Sequence, residues 1–279
     1  DEDSGESLGP TDSSGGPVAG AGEETIPSEP GDCTREDLGS VSSKYESNGK
    51  PGAIGKDSTG GYSYGSYQIA TKTGTMGTFM DYLKGEEKYS DYYTKLNSAG
   101  GSSSATSGTS EFKDTWKKLA EEPNFGQAQH DFIQRTHHDP AVSKIKESTG
   151  IDVCDGTWSN GVQDAVWSTA VQHGPGRTWP RDDGKPMNGG HRVIERALER
   201  TGKTAETVTD EELIKAIYAE RGANNGMKYF PSSKSSIRTS IVNRYNSELQ
   251  DTLANSAKPE PKVSETVYST NWHEFGGAI

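Results

Sequence analysis

The chain has 279 residues, a mean hydropathy of -0.86 and a formal net charge of -12. It contains no run of about 18 apolar residues, so the sequence predicts no membrane span. Residues 1–40 hold eleven acids and one arginine. The other 239 residues hold thirty acids and twenty-eight bases, so they are close to neutral. The lack of a basic excess argues against a nucleic-acid-binding protein.

Composition divides the chain into three parts. Residues 1–32 are rich in Gly, Ser, Pro, Asp and Glu and nearly devoid of large apolar side chains, which predicts a disordered acidic linker with something fused before it. Residues 256–279 lose helical periodicity and are interpreted as a C-terminal extension. The region between, 33–255, is expected to form one domain. Within it the Gly/Ser-rich residues 97–110 are interpreted as a flexible loop insertion.

Most apolar segments of residues 33–255 have the helical period. The first predicted helix begins at a Thr34 N-cap, has Asp37 three residues on, and carries Leu38, Val41 and Tyr45. Residues 50–70 are Gly-rich with alternating Tyr and Ser, which predicts a short hairpin or extended loop. Further helical stripes lie within residues 76–83, 112–119, 125–133, 162–170, 193–198, 213–217 and 237–249. The sequence therefore predicts a mainly α fold with one small β or loop element.

The chain has two cysteines, Cys33 and Cys154, each just outside a predicted helix. A disulfide between them would pin the end of the linker to the domain, as is plausible in a periplasmic or extracellular product. Two free thiols are the alternative. No signal peptide is visible and the chain starts with Asp, so we expect a fragment, a processed form or export by another route.

Two carboxyl groups stand out as a candidate acid–base pair. Glu46 falls at the end of the first predicted helix beside its apolar stripe, where partial burial would raise its pKa as a general acid requires. Asp57 follows in a polar Gly-rich loop, where a carboxylate stays ionised. Carboxyls whose environments separate their pKa values are typical of glycoside hydrolysis. Thr59 and Ser63 are nearby hydroxyls that can orient a water. The alternatives are a solvated surface Glu and a turn-forming Asp.

A family resemblance rests on two motifs, Glu46-Ser47 and, after a Gly-rich stretch, Gly65-Ser66-Tyr67-Gln68-Ile69. They resemble the Glu-Ser and Gly-Leu-Met-Gln-Ile signature of the lysozyme-like superfamily. That superfamily includes goose-type and phage-type lysozymes, lytic transglycosylases and chitosanases. With Ser-Tyr in place of Leu-Met, the second motif is similar to those of phage tail lysins and type VI secretion effectors. The resemblance implies a lysozyme-like, two-lobed helical domain with a small β-hairpin or loop element at the active-site cleft.

The same resemblance implies a lysozyme, or muramidase, that cleaves between N-acetylmuramic acid and N-acetylglucosamine with inversion. Glu46 would protonate the glycosidic oxygen, and Asp57, helped by Ser63, would activate a water on the opposite face. No cofactor and no metal are expected. The expected partners are peptidoglycan glycan strands, a fused N-terminal domain or a spike or tail protein, and an immunity protein. The expected location is the bacterial periplasm or cell wall.

The predicted substrate-binding residues are Thr59, Tyr62, Tyr64, Tyr67, Gln68, His173 and Arg221. The three tyrosines alternate with small residues, so they either line a sugar groove or pack within the hairpin. His173 either bonds near the cleft or caps a buried helix. Arg221 either pairs with Glu46 or is a surface arginine at a helix end.

Four other functions compete with the muramidase. A lytic transglycosylase needs one Glu and no water, and a chitosanase needs an acidic groove. A non-catalytic cell-wall-binding or tail-spike module needs neither Glu46 nor Asp57. A zinc enzyme could draw ligands from His130, His137, His138, Asp139 and His173. However, adjacent histidines point to different helix faces and no His-Glu-x-x-His motif is present.

Overall fold

The computed structural model describes residues 33, 37–45, 50–56, 61–176 and 189–255. The predicted acidic linker, the Thr34 N-cap and the predicted C-terminal extension lie outside these residues. None of the helices described is long and apolar enough to cross a lipid bilayer.

The first half of the domain combines a small sheet with short helices. Helix α1 (Ser40–Ser43) precedes three antiparallel strands in the order β1 (Ile54–Lys56), β2 (Tyr62–Tyr64) and β3 (Ile69–Ala70). The helices that follow are α2 (Thr75–Gly85), a 3-10 turn (Glu87–Tyr89), α3 (Ser90–Ser98), α4 (Gly101–Ser107), α5 (Ser110–Leu119) and α6 (Pro123–Ile133).

In the described residues of the second half of the domain, all regular secondary structure is helical. A π-helical turn (Gln134–His138) leads from α6 into α7 (Asp139–Thr149), and the remaining helices are α8 (Asn160–His173), α9 (Gly190–Thr201), α10 (Asp210–Arg221) and α11 (Ser235–Ala254). Helix α8 begins where Ser159 accepts a hydrogen bond from Val162 N. Helix α10 begins with a capping box between Thr209 and Glu212.

Two hydrophobic cores define two lobes, as the resemblance implies. The first core is aromatic: Trp116 of α5 lies 4.9 Å from Phe125 of α6 and 5.2 Å from Tyr64 of β2, centroid to centroid. The second core is mainly aliphatic. It contains side chains from each of the helices α7, α8, α9, α10 and α11, among them Val166 and Ile214. The prediction of a mainly α, two-lobed fold with a small β element is confirmed.

Helix α8 and a disulfide connect the lobes. Trp167 of α8 packs in the first core, whereas Val162, Ala165 and Val166 of the same helix pack in the second. Cys33 and Cys154 form a disulfide with a Cα–Cα distance of 4.8 Å, which resolves the alternative that the sequence leaves open.

The interpretation of residues 97–110 as a flexible loop is wrong, because helix α4 occupies most of this stretch. Ala105 is fully buried, and its carbonyl oxygen accepts a hydrogen bond of 2.9 Å from the Tyr64 hydroxyl. Glycine and serine are weak helix formers, but their small side chains let α4 pack closely against the sheet and against neighbouring helices. Tertiary packing here overrides local propensity.

Candidate functional site

Glu46, Asp57 and Thr59 lie outside the described residues, so the site is built from the residues around them. On its amino side, the segment 46–49 follows a turn that is attached to the second lobe. Gly39 N donates to the buried carboxylate of Asp164 on α8 at 2.9 Å. The hydroxyl of Tyr45 donates to Asp251 Oδ2 on α11 at 3.1 Å. Burial and this carboxylate raise the pKa of Tyr45.

On its carboxyl side, the same segment is attached to the first lobe. The carbonyl oxygen of Pro51 accepts hydrogen bonds from Trp116 Nε1 at 2.9 Å and from Gln129 Nε2 at 3.1 Å. Gln129 is fully buried, and its Oε1 accepts the Ser66 N–H at 3.0 Å. Glu46 therefore belongs to a short segment whose two ends are held by different lobes.

Gly65, the first residue of the Gly-Ser-Tyr-Gln-Ile motif, lies in a turn that packs against the buried side-chain amide of Gln129. Its φ of +79° is in the left-handed region, and a Cβ there would lie 2.8 Å from Gln129 Cδ. Glycine is the residue that accepts both conditions without strain. The Gly-Ser-Tyr-Gln-Ile motif is thus fixed to α6 through Gln129, a residue that sequence reasoning did not select as functional. A polar residue within the apolar stripe of α6 was the available signal.

The side chain of Ser63 lies on the opposite face of the sheet from those of Tyr62 and Tyr64. Ser63 pairs with Gly55 and with Ala70, so one face of the sheet carries these small residues. Tyr62 and Tyr64 point to the opposite face because side chains alternate along a strand. Gly55 lies close to the Ser63 hydroxyl, since a Cβ at this position would lie 2.7 Å from Ser63 Oγ and would crowd it.

The three predicted tyrosines have three different environments. Tyr64 is fully buried in the first core, where it takes the packing role. Its pKa is raised to about 12 by burial. The ring of Tyr62 is half-buried between Gly108 and two lysines. Tyr67 is half-buried and lies at the surface of an open cleft.

This cleft has a volume of about 320 Å³ and is lined by Ser43 and Pro51, which flank segment 46–49 in the chain. Its walls include Leu38, Gly39, Ser43, Pro51, Tyr67 and His130. The imidazole of His130 stacks on Trp167 with a centroid distance of 4.6 Å, and its Nε2 lies 2.8 Å from the carbonyl oxygen of Leu38. Tyr67 contacts both rings edge-on at 6.2 Å. Gln68, the next residue, is half-buried at a φ of 51°.

The other two predicted substrate-binding residues lie inside the second lobe. His173 packs against Tyr229 and Phe230, and burial, with the nearby Arg221 charge, lowers its pKa to about 3. Arg221 is fully buried, so the alternative of a surface arginine is wrong.

The guanidinium of Arg221 donates to Ser168 Oγ at 3.0 Å and to Gln172 Oε1 at 2.6 Å, and it lies 4.3 Å from the centre of the Tyr245 ring. Burial alone would lower the pKa of Arg221, but Tyr245 and Glu248 outweigh that effect and raise it. Arg221 is therefore a cation within the second core. Its predicted partner, Glu46, is not among the described residues.

The histidines considered for a metal site make separate contacts with other residues. His138 Nδ1 lies 3.1 Å from Asp139 Oδ1, and His137 Nδ1 lies 2.8 Å from the Thr136 hydroxyl. Within the described ranges, no three His, Cys, Asp or Glu residues are grouped so as to hold a metal ion.

Solved structures with this fold include two chitosanases. A GH46 chitosanase from Gynuella sunshinyii in complex with chitotetraose covers 80% of this chain and 90% of its own, with 17% identity and a TM-score of 0.52. A native chitosanase from Bacillus subtilis MY002 has the same coverage, with 18% identity and a TM-score of 0.50. At these identities the likeness shows the class of fold alone, a fold like that of these chitosanases.

A family model described as type VI secretion system spike protein VgrG3-like, C-terminal, matches residues 38–249. The chain belongs to this family. It is 32% identical over 182 residues to the type VI secretion system spike protein VgrG3 of Vibrio cholerae serotype O1. That alignment covers 63% of this chain and 15% of the relative, so the chain corresponds to a small part of that protein.

Proposed function

We propose that the chain is a lysozyme-type peptidoglycan hydrolase that cleaves between N-acetylmuramic acid and N-acetylglucosamine. The proposal rests on one combined observation: the chain belongs to a spike-protein C-terminal family, and its fold is shared with chitosanases. The catalytic motif supplies the reacting groups. The cleft beside Ser43 and Pro51, which flank segment 46–49 in the chain, supplies a place for a glycan strand.

The reaction proceeds by inversion with two carboxyl groups. Glu46 gives its proton to the glycosidic oxygen as the bond from the anomeric carbon to that oxygen breaks. Asp57 takes a proton from the water whose oxygen bonds to the anomeric carbon from the opposite face. Ser63 holds this water by a hydrogen bond from the small-residue face of the sheet. Tyr67 and His130 contact the sugar from the cleft wall.

The test is digestion of purified sacculi, followed by mass analysis of the products. Wild type should release fragments with reducing muramic ends. Glu46→Gln should lose about 10²–10⁴-fold in rate, since a positioned acid contributes that much. Glu111→Gln, which changes an exposed acid in the first turn of α5, is the matched control and should keep full activity.

Other products would identify the competing functions. Anhydro muramic ends together with full activity of Asp57→Asn would identify a lytic transglycosylase. Cleavage of chitosan but not of sacculi would identify a chitosanase. Binding to sacculi without release of glycan would identify a non-catalytic wall-binding module, and each of these results would overturn the proposal.

We further propose that the chain acts as one domain of a type VI spike protein, delivered to the periplasm of a target bacterium. The spike-protein relative and the small share of it that the chain covers support this context. An immunity protein in the producing cell is then the expected partner. Failure of the chain to lyse cells when exported to their periplasm would contradict the proposed site of action.

A further inference from the structure

We infer that Lys56 and Lys113 form a binding site for the carboxylate groups of the substrate. The site lies at the end of β1, on the opposite face of the sheet from Ser63, so it would contact the substrate away from the reacting bond. The inference rests on the proposed function and specifies the substrate further: an anionic, carboxylate-bearing glycan rather than a neutral or cationic one.

The two ammonium groups are held over one aromatic ring. Lys56 pairs with Tyr62 across strands β1 and β2, and its Nζ lies 5.6 Å from the centre of the Tyr62 ring. Lys113, from α5, places its Nζ 4.1 Å from the same point. Gly108 packs against the ring, since a Cβ there would lie 2.9 Å from Tyr62 Cδ2. The ring is therefore a support for the lysines and is not free to stack on a sugar.

Both lysines lack a counter-ion in the part of the chain that the structure describes. Two other lysines of this lobe are paired: Lys88 with Asp131 at 2.8 Å and Lys95 with Asp91 at 2.8 Å. Two like charges near one ring repel each other, and an anion bound beside them reduces that cost. A hydrogen bond to Lys113 also lowers the pKa of the Tyr62 hydroxyl, as a locally positive potential requires.

Carboxylate is the anion that the proposed substrate offers. The lactyl carboxyl group of muramic acid forms an amide where a peptide is attached, so the free carboxylates are those of the peptides and of muramic residues without a peptide. Chitosan instead carries ammonium groups along its length. A lysine pair attracts the first polymer and repels the second, and the charge difference acts through both affinity and encounter rate.

The test compares Lys56→Gln/Lys113→Gln with Lys118→Gln. Lys118 is exposed on the same helix, five positions from Lys113 and so pointing about 140° away. Binding to sacculi is measured by pelleting in the Glu46→Gln background, and kcat and KM are measured in the wild-type background. The double variant should bind native sacculi about three- to tenfold more weakly and raise KM similarly at low salt, with kcat nearly unchanged. Lys118→Gln should behave as wild type.

Chemical neutralisation of the substrate provides the second arm. Amidation of the carboxyls in sacculi should weaken wild-type binding to the level of the double variant and remove the difference between them. Amidase treatment removes the peptides and frees the lactyl carboxylates of the glycan strands. A lysine effect that persists on these strands shows that the site accepts a carboxylate on muramic acid, and one that disappears assigns the site to the peptide.

Equal binding of the double variant and wild type to native sacculi would overturn the inference, as would an equal lysine effect on native and amidated sacculi. Carboxylate-dependent binding without glycan cleavage would instead refute the proposed hydrolase and leave the binding site standing. Melting curves of each variant confirm that glutamine at these positions leaves the fold intact.

Discussion

Replacing Gln129 by Met should loosen the contact between the motif turn and the segment that follows Glu46. Methionine has a similar length and keeps the apolar stem of the side chain. It removes the acceptor for the Ser66 N–H and the donor to the Pro51 carbonyl oxygen.

The expected cost is about 2 kcal/mol in the free energy of unfolding. Ser66 is half-buried, so the loss of an acceptor for its N–H costs about 1 kcal/mol, at the low end of the range for an unsatisfied group. The lost bond to Pro51 adds about 1 kcal/mol, and no more because Trp116 still donates to the same oxygen.

Urea denaturation followed by tryptophan fluorescence measures this change. Gln250→Met is the control, because Gln250 is exposed on α11 and its replacement should cost less than about 0.5 kcal/mol. The rate of glycan release is measured below the melting temperature, where we expect kcat to fall about tenfold from misplacement of the catalytic segment. A loss of stability no larger than that of the control would refute the role assigned to Gln129.

Three further predictions concern other described contacts. Reducing the disulfide between Cys33 and Cys154, which are 121 residues apart, should cost about 4–5 kcal/mol and lower the melting temperature by about 10 °C; an unchanged calorimetric scan in reductant would contradict this. Gly39→Ala places a Cβ 2.6 Å from Trp167 Cε2 at a φ of +80°, and should cost about 3 kcal/mol or more in urea denaturation. The depressed pKa of His173 contributes stability that is complete above pH 6.5 and is lost as the pH falls toward about 3; denaturation at pH 7 and pH 4 should show a smaller difference in His173→Gln.

The sequence predicted most helices because an apolar stripe records which face of a helix is buried. The stripe of Met76, Phe79, Met80 and Leu83 identifies α2, and all four side chains are buried. Helix α3 was missed because it buries only Tyr92 and Leu96, too few for a period. Helix α4 was missed because its composition favours a loop and only its neighbours stabilise it.

The site could be predicted only in part, because its contacts join distant residues. Alternation in residues 62–64 shows that Tyr62 and Tyr64 share a face, but it does not show which face meets the core. The bonds from Gln129 to Ser66 and to Pro51 span 63 and 78 residues. No local pattern reports such contacts. The catalytic assignments of Glu46 and Asp57 stay predictions that rest on the motif.

Helix α8 makes the two lobes one cooperative unit. Its Trp167 ring lies 4.6 Å from the His130 ring and 5.2 Å from the His138 ring, whereas its Val162 and Val166 pack in the other core. A fragment that ends before Asn160 would lack Trp167 and leave the first core open. Neither lobe is therefore an independent module, and any exchange between related domains must keep α8 together with both of its neighbours.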